Sequence, residues 1–209
     1  MNYDVVIPAS GSGSRASLGY NKVFYQMKDG RSILEHAASL FMEDDDCKKI
    51  VIVTNEGSFD DVFRHEKLVL VKGGETRKDS VYNGLLKCES DYVLIHDGAR
   101  PFLDKRALEK VKEKVTERKA VVLGKIAVDT IKLIRGDRVI QTLDRNQIFM
   151  AETPQAFERK LLVDCYERCE NIEFTDDVSL AESLGYEVSV VIDEYDNRKL
   201  TRKEDFRDL

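Results

Sequence analysis

The sequence predicts an α/β fold, a mainly parallel sheet covered by helices on both faces. Three observations carry the prediction. Short runs rich in Val and Ile recur at Val5–Pro8, Ile50–Thr54, Leu68–Val71, Tyr92–Ile95, Ala120–Leu123 and Val188–Ile192, each apolar over consecutive positions as in strands buried on both faces. Stretches with recognisable helix starts lie between them, and strand alternating with helix is the pattern of parallel sheets. The composition agrees: 209 residues, 42% hydrophobic, with only 3 Pro and 12 Gly, supply one well-buried core and no long disordered tract. A single domain over residues 1–209 is expected at this length.

Taken in order, the first strand, Val5–Pro8, runs into a chain of small residues. Ser32-Ile33-Leu34-Glu35 is a capping box that starts the first helix. After the third strand, Thr76 is placed to cap a second helix, and Asp104 caps a third over Lys105–Glu117. Thr130–Leu143 breaks the alternation: two period-2 runs surround Arg135-Gly136-Asp137, a β-hairpin signal. A hairpin leaving a parallel sheet is an arm, marginal alone in water, so it is expected to pack on a partner subunit. Thr153-Pro154 reads as a cap followed by proline at the first helical position. Thr175 can cap a helix running to Leu184, and Thr201 with Glu204 can form a further capping box.

A formal net charge of −6, from 33 Lys plus Arg against 39 Asp plus Glu, excludes a generally basic nucleic-acid coat while allowing a local basic pocket. No apolar run is long enough to span a bilayer, and the N-terminus has no basic n-region or cleavage site, so a cytoplasmic protein without membrane or nucleic-acid partners is expected. Cys47, Cys88, Cys165 and Cys169 show neither Cys-x-x-Cys spacing nor nearby histidine pairs. They are expected to be free thiols, with Cys165 and Cys169 half-buried on one helix face.

Three clusters could carry chemistry. The first is Pro8-Ala9-Ser10-Gly11-Ser12-Gly13-Ser14-Arg15, directly after the first strand. Small residues let backbone N–H groups close on an anion, and Arg15 and Lys22 supply fixed charge for a polyphosphate. Gly11–Ala16 also matches the dinucleotide fingerprint, but that motif needs an acidic residue about 20 positions on at the next strand's end, and here that strand begins only near Ile50. No G-K-[ST] follows, so a Walker loop is excluded.

The second cluster, Gly73-Gly74-Glu75-Thr76-Arg77-Lys78-Asp79-Ser80, enters a helix; its glycines can approach a flat ring, with Arg77 and Ser80 as polar contacts, or it is an ordinary turn. The third, His96-Asp97-Gly98-Ala99-Arg100-Pro101-Phe102, ends a central strand where open α/β sheets bind ligands. Asp97 can hold a divalent metal or a ribose hydroxyl, and Arg100 can pair with an anion or with Asp97 alone. His96 reads as a packing or hydrogen-bonding residue before a base. Asp129-Thr130, Asp144-Arg145-Asn146, Thr153-Pro154-Gln155, Thr175-Asp176-Asp177 and the segment Asp196–Thr201 read singly as caps and turns. Together they suggest a second half-site, with Arg145 and Lys199 for a monophosphate.

Set in order, these motifs resemble the 2-C-methyl-D-erythritol 4-phosphate cytidylyltransferase family. The match runs through P-A-S-G-S-G-S-R, the later lysine, G-G-E-T-R-K-D-S-V-Y-N-G-L, H-D-G-A-R-P-F, V-D-T-I-K, D-R-N, T-P-Q-A-F, T-D-D-V-S-L-A-E-S-L-G and D-N-R-K-L-T. The ribitol 5-phosphate cytidylyltransferases look similar, but R-K-D-S-V and D-G-A-R-P are closer to the erythritol enzymes. Asn21 replaces the family's usual Pro, Ser10 its Ala or Gly, and Arg198 interrupts its N-I-K in the polyol-phosphate half-site.

The resemblance implies a Rossmann-like nucleotidyltransferase fold, CTP and a sugar-alcohol phosphate as substrates, Mg²⁺ or another divalent cation, and a homodimer built through an arm at about 129–149. It implies that Arg15 and Lys22 grip the triphosphate, while Pro8, Ala9, Ser10, Gly11, Gly13, Gly73, Arg77 and Ser80 hold the cytidine. Asp97, with Arg100 nearby, would stand by ribose, metal and acceptor, and Thr130, Arg145, Thr153 and Lys199 would bind the acceptor phosphate. The competing expectations are the ribitol enzyme, a silent CTP-binding module with the same residues, and an NAD-linked dehydrogenase through G-S-G-S-R-A.

Overall fold

Consecutive apolar residues build the strands as expected. β1 (Tyr3–Pro8) is buried at every position but its last, and β2 (Cys47–Thr54) is buried from Ile50 onward. The chain continues through β3 (Leu68–Lys72), β4 (Tyr92–Ile95), β5 (Ala120–Ile126), the hairpin β6 (Lys132–Arg135) and β7 (Arg138–Thr142), then β8 (Phe149–Glu158) and β9 (Ser189–Ile192). The helices are α1 (Ile33–Glu43), α2 (Arg77–Leu85), α3 (Lys105–Arg118), α4 (Arg159–Glu167) and α5 (Asp177–Ser183). These elements come from a computed structural model that describes residues 1–11, 19–169, 173–207 and 209.

Seven strands form one sheet in the order β3-β2-β1-β4-β8-β5-β9. Pairings β1–β2, β1–β4, β2–β3 and β5–β9 are parallel, whereas β8 runs antiparallel to both β4 and β5. Helices cover both faces. Tyr3, Val5 and Ile7 pack with Leu34, Ala38 and Phe41 of α1 and Leu108, Val111 and Val115 of α3. Val6, Val51 and Val53 face α2, α4 and α5 through Val81, Leu85, Leu162, Cys165 and Leu180. Gly84 lets α2 approach β1: a Cβ there would lie 2.6 Å from Val6 Cγ1, so Ala would push the helix off the sheet.

Several local expectations need correction. Thr153-Pro154 does not start a helix but lies inside β8, and α4 begins only at Arg159. Proline lacks a ladder donor and is tolerated where pairing is irregular; here the β5–β8 register shifts between Val122 and Gly124, opposite this dipeptide. The cap of α5 is Asp176, whose carboxylate accepts from Ser179 N at 3.0 Å, not Thr175. Near the C-terminus Asp205, not Glu204, accepts from Thr201 N and Arg202 N at 2.7 and 2.8 Å, and only a short 3₁₀ turn follows. All four cysteines are free and fully buried; Cys169 lies beyond the end of α4, so it shares no helix face with Cys165.

Candidate active site

In the order β3-β2-β1-β4, chain crossovers leave β1 in opposite directions, and the carboxyl ends of β1 and β4 part to form a crevice. A cleft of about 510 Å³ opens there, walled by the loop after β1 (Pro8, Ala9, Ser10, Gly11), the turn with Asn21, Lys22 and Val23, and the β3–α2 turn from Gly74 to Arg77. Asp97, Gly98 and Ala99 after β4 and Lys199 near the C-terminus complete it. Gly13 and Arg15 lie outside the described residues.

The β1 loop and the β3–α2 turn are joined through Ser80. Its buried hydroxyl donates to Thr76 O at 2.9 Å, accepts from Gly74 N at 3.1 Å, and lies 3.0 Å from Ser10 Oγ. Gly73 permits that junction, since a Cβ would fall 2.7 Å from Ser10 Cβ. Ser80 and Gly73 therefore shape the wall from behind, and Gly74, Glu75 and Thr76 present its surface. Thr76 caps α2 reciprocally with Asp79. Arg77 lines the cleft while its guanidinium donates to buried Asp177 at 2.8 Å. Val23 was not singled out by sequence, Glu75, Gly98 and Ala99 entered only as members of their clusters with no role of their own, and Asn21 only as a departure from the family's proline.

Asn21, the departure from proline, caps the short 3₁₀ turn Lys22–Phe24 by accepting from Val23 N. It also ties that turn to Ala9 O, so the position still fixes the lysine loop. Lys22 Nζ donates to Leu200 O at 2.6 Å. Leu200 is buried with Ile33 and Phe206, which anchors the C-terminal segment beside the lysine loop. Next to it, Lys199 Nζ lies 2.7 Å from Asp97 Oδ2. Burial pushes the Asp97 carboxyl up, but Lys199, Arg77 and Arg100 outweigh it and hold the group at about 2.

Arg100 does not line the cleft. It is buried behind Asp97, with Nε 3.5 Å from Asp97 and Nη1 2.6 Å from Asn197 O; the expected pair with Asp97 is present but not exclusive, since Arg100 also faces Glu152 at 3.7 Å and Asp97 also pairs with Lys199. Thr153 is likewise buried beneath the floor, where its hydroxyl accepts from Asp97 N at 3.0 Å and donates to His96 Nδ1 at 3.1 Å. His96 Nε2–H then donates to Arg100 O at 3.1 Å, a chain that assigns the neutral tautomer. Arg198 turns away, its guanidinium 5.0 Å from the Phe102 ring and paired with Asp196 at 3.5 Å, so this departure does not enter the half-site of its own chain. Thr130 and Arg145 are exposed on the arm, outside the cleft of their own chain; Arg145 Nη1 reaches Val128 O at 2.6 Å.

Burial lowers the His96 pKa from near 6.5 to about 4. The unfolded chain therefore binds a proton that the folded chain refuses between those values, so stability is complete above about pH 6.5 and falls as the pH drops toward 4. The expected loss at pH 5 is ~2 kcal/mol. Urea unfolding at pH 7.5 and 5 would show it, and His96→Gln should flatten the difference; an unchanged pH slope in the variant would assign the loss elsewhere.

Among the described residues no group of three or more His, Cys, Asp or Glu side chains could cage a metal. One ionised carboxylate at the strand end nevertheless fits Mg²⁺, which commonly takes one or two protein carboxylates and completes its shell with substrate phosphates and water.

A sequence model of the 2-C-methyl-D-erythritol 4-phosphate cytidylyltransferase family matches residues 3–208. Proteins bearing that name from Halalkalibacterium halodurans and Bacillus velezensis are 40% and 42% identical, each over 98% of this chain and 94% and 93% of their own length. A crystal structure of the Francisella tularensis cytidylyltransferase superposes with TM-score 0.84 at 29% identity, covering 99% of this chain and 97% of the other. The crystal structure of the Thermus thermophilus enzyme gives 0.82 at 28% identity over 99% and 96%.

Proposed function

The chain belongs to the 2-C-methyl-D-erythritol 4-phosphate cytidylyltransferase family, and we propose a division of labour in its cleft on that premise. The enzyme is a CTP-dependent nucleotidyltransferase of isoprenoid biosynthesis that transfers CMP to 2-C-methyl-D-erythritol 4-phosphate and releases pyrophosphate. A phosphate oxygen of the acceptor attacks the α-phosphorus of CTP as the bond to the β-phosphate oxygen breaks. The acceptor phosphate is already anionic at neutral pH, so no general base is needed, and catalysis rests on positioning and charge neutralisation.

Lys22 and Arg15 hold the triphosphate and stabilise charge developing between its α- and β-phosphates. The loop from Pro8 to Gly13 and the Gly73–Ser80 turn hold the cytidine. Asp97 stands by the ribose and would hold Mg²⁺, whose chemistry there is to neutralise the triphosphate oxygens; Lys199 binds the acceptor phosphate. Thr130 and Arg145 complete the acceptor site from the second subunit of a homodimer, and Thr153 and Arg100 act through Asp97. The observation that carries this division is the meeting of Lys22, Lys199 and Asp97 in one cleft, linked through Leu200 O and the 2.7 Å Lys199–Asp97 pair. No described helix is long and apolar enough to cross a membrane. The proposal places this work in the cytoplasm, a reducing compartment in which free thiols such as the four buried cysteines persist.

The test is pyrophosphate release with CTP and a panel of polyol phosphates. Turnover with 2-C-methyl-D-erythritol 4-phosphate well above ribitol 5-phosphate supports the assignment, and the reverse order makes the protein a ribitol enzyme. In the same assay CTP should exceed ATP and GTP by roughly 10²-fold, because a purine meets the Gly74–Thr76 wall and leaves its polar groups unpaired. Equal turnover with ATP would remove the base pocket from that wall.

A further inference from the structure

Glu152 lies one residue before the T-P-Q-A-F motif, was not singled out by sequence, and does not line the cleft. Its side chain is largely buried, and its two oxygens reach two different loops. Oε1 lies 3.7 Å from Arg100 Nη1, on the loop that carries Asp97. Oε2 accepts from Asn197 Nδ2 at 3.2 Å, on the loop that carries Lys199. Arg100 and Asn197 also meet directly through Asn197 O, and Asn197 Nδ2 donates again to Thr153 O at 2.8 Å.

The segment 193–201 has no helix or strand of its own beyond β9, so its shape depends on such side-chain anchors. Those on its outer side are surface contacts: Lys110 with Glu194 at 2.6 Å and Arg106 stacked 4.1 Å from the Tyr195 ring. On the inner side Lys125 Nζ donates to Tyr195 O at 2.6 Å, and Asn197 is fully buried. A buried carboxylate is costly unless it is paired and hydrogen-bonded; Arg100 and Asn197 partner Glu152 here, while burial and the neighbouring Asp193 carboxylate push its pKa up.

We infer that Glu152 is a positioning residue for the acceptor half of the site, clamping the Arg100 loop behind Asp97 to the Asn197 loop that aims Lys199. The inference rests on the assignment of Lys199 to the acceptor phosphate. Lys199 is held on one side by Leu200, whose N–H donates to Ala99 O at 2.9 Å, and on the other by Asn197. Without Glu152, Arg100 and Asn197 lose their common anchor on β8 and the loop that aims Lys199 loosens, while Asp97 stays held by its own backbone N–H, which donates to Thr153 Oγ1. The cytidine wall is braced separately, through Ser80 and Thr76, whose hydrogen bonds run to Ser10, Gly74 and Asp79.

The test measures KM for CTP and for 2-C-methyl-D-erythritol 4-phosphate separately in Glu152→Ala, Glu152→Gln and Lys199→Ala, with thermal melts confirming the fold. Glu152→Ala should raise the acceptor KM about tenfold and move the CTP KM less than twofold. Glu152→Gln, which keeps shape and an acceptor for Asn197 but not the charge facing Arg100, should lie between wild type and Ala and carries the test if Ala fails to fold. Equal shifts in both KM values, or none in a folded variant, overturn the clamp. If Lys199→Ala leaves the acceptor KM unchanged, the acceptor assignment fails; if it raises that KM while the Glu152 variants do not, only the clamp fails.

Discussion

Replacing Lys22 with Ala is expected to lower turnover about 10²- to 10³-fold, the usual scale for removing one preorganised charge donor from a reacting oxyanion. The structure explains why the donor is preorganised. Asn21 caps the turn that carries the lysine and ties it to the end of β1, and the ammonium is held at 2.6 Å by the Leu200 carbonyl before any substrate arrives. A triphosphate oxygen would meet a cation whose position is already restricted. Arg15→Ala should fall in the same range. Single-turnover rates with saturating CTP separate chemistry from binding, and near wild-type rates in both variants would remove this loop from the reaction. A drop confined to the CTP KM would make Lys22 a ground-state anchor only.

Mixing inactive Lys22→Ala with inactive Arg145→Ala is expected to restore activity toward a quarter of wild type. At equal mixing half of the dimers are mixed, and each of these has one site with both defects and one with neither. The motive is the arm. All nine residues of β6 and β7 are exposed, including Leu133, Ile134, Val139 and Ile140 at 48 to 62%, while Val128 at its root is 76% exposed. Two strands do not sustain such apolar exposure alone in water, and large apolar side chains left exposed together on one arm mark an interface. Arg145 follows the return strand and is bonded to Val128 O at 2.6 Å, so docking of the arm on a two-fold mate would carry its side chain with it. Tagged chains report subunit exchange. If the chains exchange and activity stays at the level of the single variants, Arg145 works within its own subunit or not at all.

The fold was largely legible because its signals are local. Consecutive Val and Ile residues mark buried strands, and Ser32, Thr76 and Asp104 stand where their side chains cap α1, α2 and α3. The hairpin followed from period-2 runs about Gly136, which takes a positive φ of 59° that glycine adopts without strain. β8 was missed because proline within a run argues against a central strand, and only the register shift against β5 makes room for it. Asp176 took the cap from Thr175 for a non-local reason: Gln155 from β8 bonds both its carboxylate and Val178 N, fixing where α5 begins.

The sequence by itself determined the family, the order of the strands and helices other than β8, and which residues bear charge near the strand ends, because each is written in spacing and residue type along the chain. Only the tertiary structure decided which of those residues face the cleft. Arg100 shares a motif with Asp97, and Ser80 and Thr153 stand in motifs of the same set, yet all three are buried behind the wall, where their polar atoms are taken up by Asn197 O, Thr76 O and Asp97 N and hold the loops in place. Glu152 shows the same limit from the other side. Its partners Arg100 and Asn197 stand 52 residues before it and 45 after it in the chain, and no spacing rule links residues that meet only once the sheet has closed.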